Sequence, residues 1–147
     1  MPRLSTTGHL RRLRELLQSD RDRRELHLTT CAETACRAGG AMTIVQAVQA
    51  YLLKHGLVDR IGVHATGCHG FCEMGPTLLV EPQQAFYPRV KAEHVPEIIE
   101  AALEGRHVEH LLYRDPQTGR ICYHRDEIPF FQHQQRTVLG MSPKIEV

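Results

Sequence analysis

The stretches TTCAETACRAGG (29–40) and ATGCHGFCEMGP (65–76) decide how this chain is interpreted. Each contains a close pair of cysteines, with Cys31 and Cys36 spaced C-x4-C and Cys68 and Cys72 spaced C-x3-C. Four thiolates that one fold brings together can hold a metal ion or an iron–sulfur cluster. The two pairs therefore predict a four-thiolate site.

The segments around the cysteines alternate between strand and helix patterns. Apolar residues recur at helical spacing in two long segments, and glycines follow the ends of both. The predicted order is strand, helix, strand, strand, strand, helix, at residues 25–30, 38–55, 60–66, 77–81, 86–90 and 93–104.

This order predicts a thioredoxin-like α/β fold with a central mixed four-stranded sheet flanked by helices. A strand–helix–strand unit forms a right-handed parallel crossover, and the following hairpin adds antiparallel strands. Both cysteine pairs then follow the carboxyl ends of parallel strands, where α/β folds place their sites. We divide the chain into an N-terminal amphipathic helix and basic linker (1–24), the thioredoxin-like domain (25–113) and an irregular linker or docking tail (114–147).

Composition narrows the class of protein. The chain has 147 residues, 41% hydrophobic and 24% charged, with a net charge of +1. This balance fits a globular core and gives no reason to expect nucleic acid as a partner. No apolar run approaches the ~20 residues of a membrane-spanning helix, so we expect no direct membrane insertion. We expect a cytoplasmic location, free or at a membrane's periphery within a complex. In that compartment thiols stay reduced, so closely paired cysteines indicate metal binding or catalysis in preference to disulfides.

The residues near the cysteines favour a negatively charged cluster but leave zinc open. Glycines beside both pairs allow backbone N–H groups to approach sulfur, and the first pair lies before a helix N-terminus, which favours negative charge. Neither pair has the C-x-x-C spacing of a dithiol oxidoreductase. A Rieske centre needs two histidine ligands, yet four cysteines already fill the loops, so we expect His69 to be a surface residue. Cys122 is expected to be a bystander thiol.

At these residues the chain resembles a known family. TTCAETACRAGGA (29–41), VHATGCHGFCEMGPTLLVEP (63–82) and YPRVKAEHVPEIIEAALEGRHVEHLLY (87–113) resemble the thioredoxin-like [2Fe–2S] ferredoxin family. This family includes the small ferredoxin-like subunit of respiratory complex I and related domains of NAD-linked hydrogenases and formate dehydrogenases. The resemblance implies that Cys31, Cys36, Cys68 and Cys72 ligate one [2Fe–2S] cluster that carries single electrons.

The end of the chain extends this resemblance. IPFFQHQQRTVLGMSPKI (128–145) is similar to the segment that precedes the flavin- and NADH-binding domain of large flavoprotein subunits. The chain has no glycine-rich phosphate loop, so FMN and NAD(P) are expected on an adjoining flavoprotein domain or subunit. Further iron–sulfur subunits are expected as partners, in an NAD(P)H:acceptor oxidoreductase. The alternatives are a free-standing ferredoxin and a zinc-stabilised four-cysteine binding module without a redox role.

Overall fold

The helices and strands lie in the predicted order in the computed structural model, which describes residues 5–137 and 140–145. The helices are α1 (Thr7–Asp22), α2 (Thr34–Ala38), α3 (Ala41–His55), α4 (Val95–Leu103) and α5 (Pro129–Gln132). The strands are β1 (Leu26–Cys31), β2 (Ile61–Thr66), β3 (Leu78–Glu81), β4 (Ala85–Tyr87), β5 (Tyr113–Arg114) and β6 (Ile121–Cys122).

The central sheet has the strand order β2-β1-β3-β4. β1 and β2 are parallel, in a register that pairs Leu26 with Ile61 and Cys31 with Thr66. β3 is antiparallel to both β1 and β4. The expected mixed four-stranded sheet of a thioredoxin-like fold is confirmed.

The first hydrophobic core lies between one face of the sheet and helices α3 and α4. Alternate strand residues such as Leu28 and Val80 point into it, which is the two-residue periodicity of a pleated strand. The helices contribute Ile44, Val48 and Ile98, all at most 2% exposed. Burying this apolar surface is the main favourable term in folding.

The helix expected over 38–55 is divided in two. Gly40 has a φ of 96°, in the left-handed region, and separates α2 from α3. This break lets α3 begin at Ala41, while Cys36 lies in the separate short helix α2. The expected stop at Gly56 is confirmed, since it has a φ of 68° and its N–H bonds to carbonyls of the last turn.

The C-terminal segment, expected to be a linker or docking tail, packs on the second face of the sheet. There, a second hydrophobic core joins Phe71, Phe86 and Ile128. Phe130 stacks on Phe71 with ring centroids 4.0 Å apart, and Phe131 contacts Phe86 edge-on at 5.3 Å. These residues are structural parts of the molecule; the division into segments 1–24, 25–113 and 114–147 itself stays a prediction.

Helix α1 is the amphipathic helix predicted at the N-terminus, and its side chains are largely solvated. Thr6 caps it by accepting a hydrogen bond from the His9 N–H. Its leucines, such as Leu16 and Leu17, are exposed. Within residues 5–137 and 140–145, no helix has both the length and the apolar character needed to cross a membrane.

The second core yields a prediction about stability. Ile128 is fully buried there, so Ile128→Ala should lower the free energy of unfolding by roughly 2–5 kcal/mol. Leu53→Ala is the control, because Leu53 is 72% exposed and its truncation should change stability by at most about 0.5 kcal/mol. Urea unfolding of the intact protein measures both. Equal costs for the two variants would contradict the packing of the C-terminal segment on the sheet.

Candidate iron–sulfur site

The first cysteine pair is buried at the carboxyl edge of the sheet. Cys31 is the last residue of β1, and Cys36 follows in α2. Together with Ala41, the first residue of α3, they form a separate buried cluster. The prediction that the first pair meets a helix N-terminus is therefore confirmed, with α3 as the helix. The positive end of its dipole favours negative charge on these sulfurs.

The second pair lies on the loop that follows β2 and faces solvent. Cys68 is partly exposed and Cys72 is exposed. Their Sγ atoms are 3.9 Å apart. Two sulfurs bound to one tetrahedral metal ion at 2.3 Å lie about 3.8 Å apart, so this pair already has the spacing of two ligands on one ion. The site thus has a buried side and an open side.

The four thiols influence one another electrostatically. Burial raises the pKa of Cys36 to about 12, and the hydrogen-bond contact with Cys31 and the charges of Cys31, Cys72 and Cys68 act in the same direction. Burial also raises the pKa of Cys68, while the Gly70 N–H, 3.2 Å from its Sγ, opposes that rise. Thiols with a raised pKa keep their protons at neutral pH unless a bound cation displaces those protons. This donor set fits a metal-containing group.

Gly75 leaves space for the buried pair. A Cβ atom at this position would lie 2.8 Å from the Sγ of Cys36, which is closer than real Cβ contacts. The backbone of the second loop therefore reaches the first pair directly. Because Gly75 adopts an extended conformation with a φ of −73°, sterics at the sulfur and not backbone freedom require glycine here.

The expectation that His69 is a surface residue is wrong. It is 2% exposed, and its ring nitrogens contact the hydroxyls of Thr66 at 2.9 Å and Thr77 at 3.5 Å. Burial, with the nearby charges of Arg125 and Arg136, lowers its pKa to about 4. The ring is neutral at pH 7 and holds the cysteine loop against the sheet. With both nitrogens engaged, His69 is not arranged as a metal ligand.

The C-terminal segment packs against the second cysteine loop, which the sequence analysis missed. The Gly67 N–H donates to the Ile145 carbonyl at 3.0 Å, and a Cβ at Gly67 would lie 2.5 Å from the Ser142 hydroxyl. Arg136 donates to the His69 carbonyl. The glycines beside Cys68 therefore make room for this segment as well as for the sulfurs. The presence of Gly67 and Gly70 on either side of Cys68 is the sequence signal that could have indicated this packing.

Cys122 lies apart from the other cysteines. It is 2% exposed in β6, within the second core, and its thiol lies 3.6 Å from the Glu127 carbonyl oxygen. The structure therefore brings Cys31, Cys36, Cys68 and Cys72 to one edge and leaves Cys122 elsewhere.

Over the part of the chain that the structure describes, no group of three or more His, Cys, Asp or Glu side chains is arranged to hold a single metal ion.

Comparison with known proteins gives a consistent family. The model of the thioredoxin-like [2Fe-2S] ferredoxin family matches residues 18–103. A 2Fe-2S ferredoxin of Clostridium pasteurianum is 32% identical over 92 residues, covering 56% of this chain and 88% of that protein. A 2Fe-2S ferredoxin of Aquifex aeolicus is 48% identical over 40 residues, covering 27% of this chain and 36% of that protein.

A solved structure agrees with these relatives. The thioredoxin-like [2Fe-2S] ferredoxin from Aquifex aeolicus superposes with a TM-score of 0.55 at 30% identity, over 60% of this chain and 89% of that one. The chain thus contains a [2Fe–2S] electron-transfer ferredoxin module, and one [2Fe–2S] cluster is consistent with that assignment. This chain belongs to the thioredoxin-like [2Fe-2S] ferredoxin family.

Proposed function

We propose that this protein is a one-electron carrier in which Cys31, Cys36, Cys68 and Cys72 ligate one [2Fe–2S] cluster. The observation that carries the proposal is the meeting of both cysteine loops at one sheet edge. There Cys31 contacts Cys36, and the Sγ atoms of Cys68 and Cys72 are 3.9 Å apart. Each pair would supply two thiolates to one iron. A bound cluster supplies a centre that accepts and returns a single electron.

The surrounding residues suit that task in different ways. The buried Cys31 and Cys36 exclude water from one side, and the start of α3 at Ala41 offsets negative charge. The Gly70 N–H stabilises charge on Cys68. The exposed Cys72 marks the side where an electron partner would approach. An exposed edge of this kind suits the small interfaces of transient electron-transfer complexes.

Replacing a ligand tests the assignment. Cys68→Ser should lower the iron and acid-labile sulfide content to below about half of the wild-type value, since even changes around a metal ligand cost 10–100-fold in affinity. Cys122→Ser is the matched control and should keep the full content, because Cys122 lies in the second core. Metal analysis and electron paramagnetic resonance of the reduced protein measure both. An unaltered signal in Cys68→Ser, or zinc without sulfide in the wild type, would refute the proposal.

The close approach of Gly75 to Cys36 gives a second test. Gly75→Ala places a methyl group against the Cys36 sulfur and should destabilise the loaded protein by roughly 1–3 kcal/mol, with reduced cluster content. Gly8→Ala is the control, since a Cβ there meets only the Thr6 hydroxyl, at an ordinary 3.7 Å. Visible absorbance before and during urea unfolding measures the cluster content and the stability of each variant. Gly75→Ala that behaves like Gly8→Ala would contradict the contact between the loops.

We infer further that the electron partner is a flavoprotein that binds FMN and NAD(P), within an NADH:acceptor oxidoreductase that contains other iron–sulfur subunits. The support is the resemblance of residues 128–145 to the segment preceding such flavoprotein domains, and the packing of Arg136 and Ser142 against the cysteine loop. The relatives are named simply as 2Fe-2S ferredoxins, which favours a separately acting ferredoxin as the second candidate.

Electron transfer from a defined flavoprotein tests this inference. Purified FMN-containing NADH dehydrogenase flavoprotein with NADH should reduce the protein, seen as bleaching of its visible absorbance. Glu73→Lys reverses an exposed charge next to Cys72 and should change the second-order rate constant by about tenfold at low salt. Asp59→Lys, an exposed reversal in the loop before β2, should leave it unchanged. A wild-type protein that this flavoprotein cannot reduce excludes the flavoprotein role and leaves the cluster assignment intact.

A further inference from the structure

The half of the sheet formed by β1 and β2 carries polar side chains on the face opposite the first core. Along β1, Leu26 and Leu28 point into that core, whereas His27 and Thr29 point to the other face. On β2, His64 and Thr66 lie on the same polar face. Polar residues at every second strand position usually face water. Here Thr29 and Thr66 are buried, so the chain covers them.

A cavity of about 400 Å³ lies between this polar face and the C-terminal segment. Thr29, Thr66 and Glu81 line its floor, and Arg125, Arg136 and Lys144 line the opposite wall. This volume falls within the range of small-ligand sites, about 300–1,000 Å³. The cavity is therefore large enough for a small molecule and is lined by hydroxyls and cations.

The cations of this cavity exceed its carboxylates. Glu81 is already paired with Arg21, at 3.0 Å. Within residues 5–137 and 140–145, no ion pair joins a carboxylate to Arg125, Arg136 or Lys144. Unpaired cations that share a cavity repel one another, and an anion would relieve that repulsion.

The two arginines are also fixed in place. Their guanidinium carbons lie 4.7 Å (Arg125) and 5.6 Å (Arg136) from the centre of the Phe131 ring. Arg136 is further held by Gln134 Oε1 at 2.8 Å and by the His69 carbonyl. The Nε of Arg125 is buried and has no hydrogen-bond partner. A buried N–H donor without an acceptor is unfavourable, so this donor is available to an acceptor that binds in the cavity.

We propose that this cavity is a binding site for a small oxyanion, a phosphate or a carboxylate group held between Arg125, Arg136 and Lys144 and the hydroxyl-bearing face of the sheet. Guanidinium groups match the geometry of carboxylate and phosphate oxygens, and the Thr29 hydroxyl on the floor adds a neutral donor. The site lies beside the cysteine loop, because Thr66 of its floor contacts His69. It is separate from the four cysteines, and neither the family match nor the relatives' names assign it.

Calorimetric titration of the cluster-loaded protein with inorganic phosphate and with malonate tests the proposal. We expect saturable one-to-one binding that weakens at least about tenfold in Arg136→Gln and in Arg125→Gln, since each variant loses a charge-assisted hydrogen bond to the anion. Arg12→Gln is the matched control: it removes the same charge from an exposed position of α1 and should bind as the wild type does.

Comparison of the two anions distinguishes a phosphate site from a carboxylate site. Tighter phosphate binding identifies a phosphate site, and tighter malonate binding identifies a carboxylate site. Thr29→Val keeps the shape of the floor while removing a hydroxyl, so it should weaken binding even if the arginine variants fold poorly. Absence of saturable binding for both anions, or equal weakening in Arg12→Gln, overturns the proposal.

Discussion

The parallel pairing of β1 with β2 is the constraint on which the rest of the structure depends. Its register places Cys31 beside Thr66, so the two cysteine loops leave the sheet at the same edge. A shift of one residue would turn every side chain of a strand to the opposite face. The leucines of β1 would then leave the first core, and the polar floor of the cavity would be lost. One register therefore serves the core, the cysteine site and the cavity.

Much of this arrangement could be predicted from the sequence, because its signals are local. Apolar periodicity and terminal glycines marked the helices, and the order of elements implied the parallel pair and hence the convergence of the cysteines. What escaped prediction depends on individual side-chain contacts, one of them between residues far apart in the chain. His69 is buried because its ring nitrogens contact the hydroxyls of Thr66 and Thr77. The second core depends on the stacking of Phe130 on Phe71. Neither partnership leaves a periodic trace in the sequence.

The two sides of the cysteine site differ in a way that matters for a charged group. Cys31 and Cys36 lie in a dry environment, where charge interactions are strong and unpaired charge is costly. Cys68 and Cys72 meet solvent, which screens charge. Backbone dipoles support both sides, through the start of α3 and the Gly70 N–H. Fixed dipoles thus favour negative charge on both sides, and water screens it in addition on the open side.

The hydrogen bond between Gly67 and Ile145 has a consequence for how this protein can be extended. It holds the C-terminal end of the described chain against the cysteine loop. A protein fused there through a short linker would start from a point next to the cysteine site, not from the far side of the domain. Short flexible linkers give effective concentrations in the millimolar range. The fold thus offers a built-in attachment point for an engineered redox partner, whereas a fusion to α1 would begin at a helix that makes few contacts with the domain.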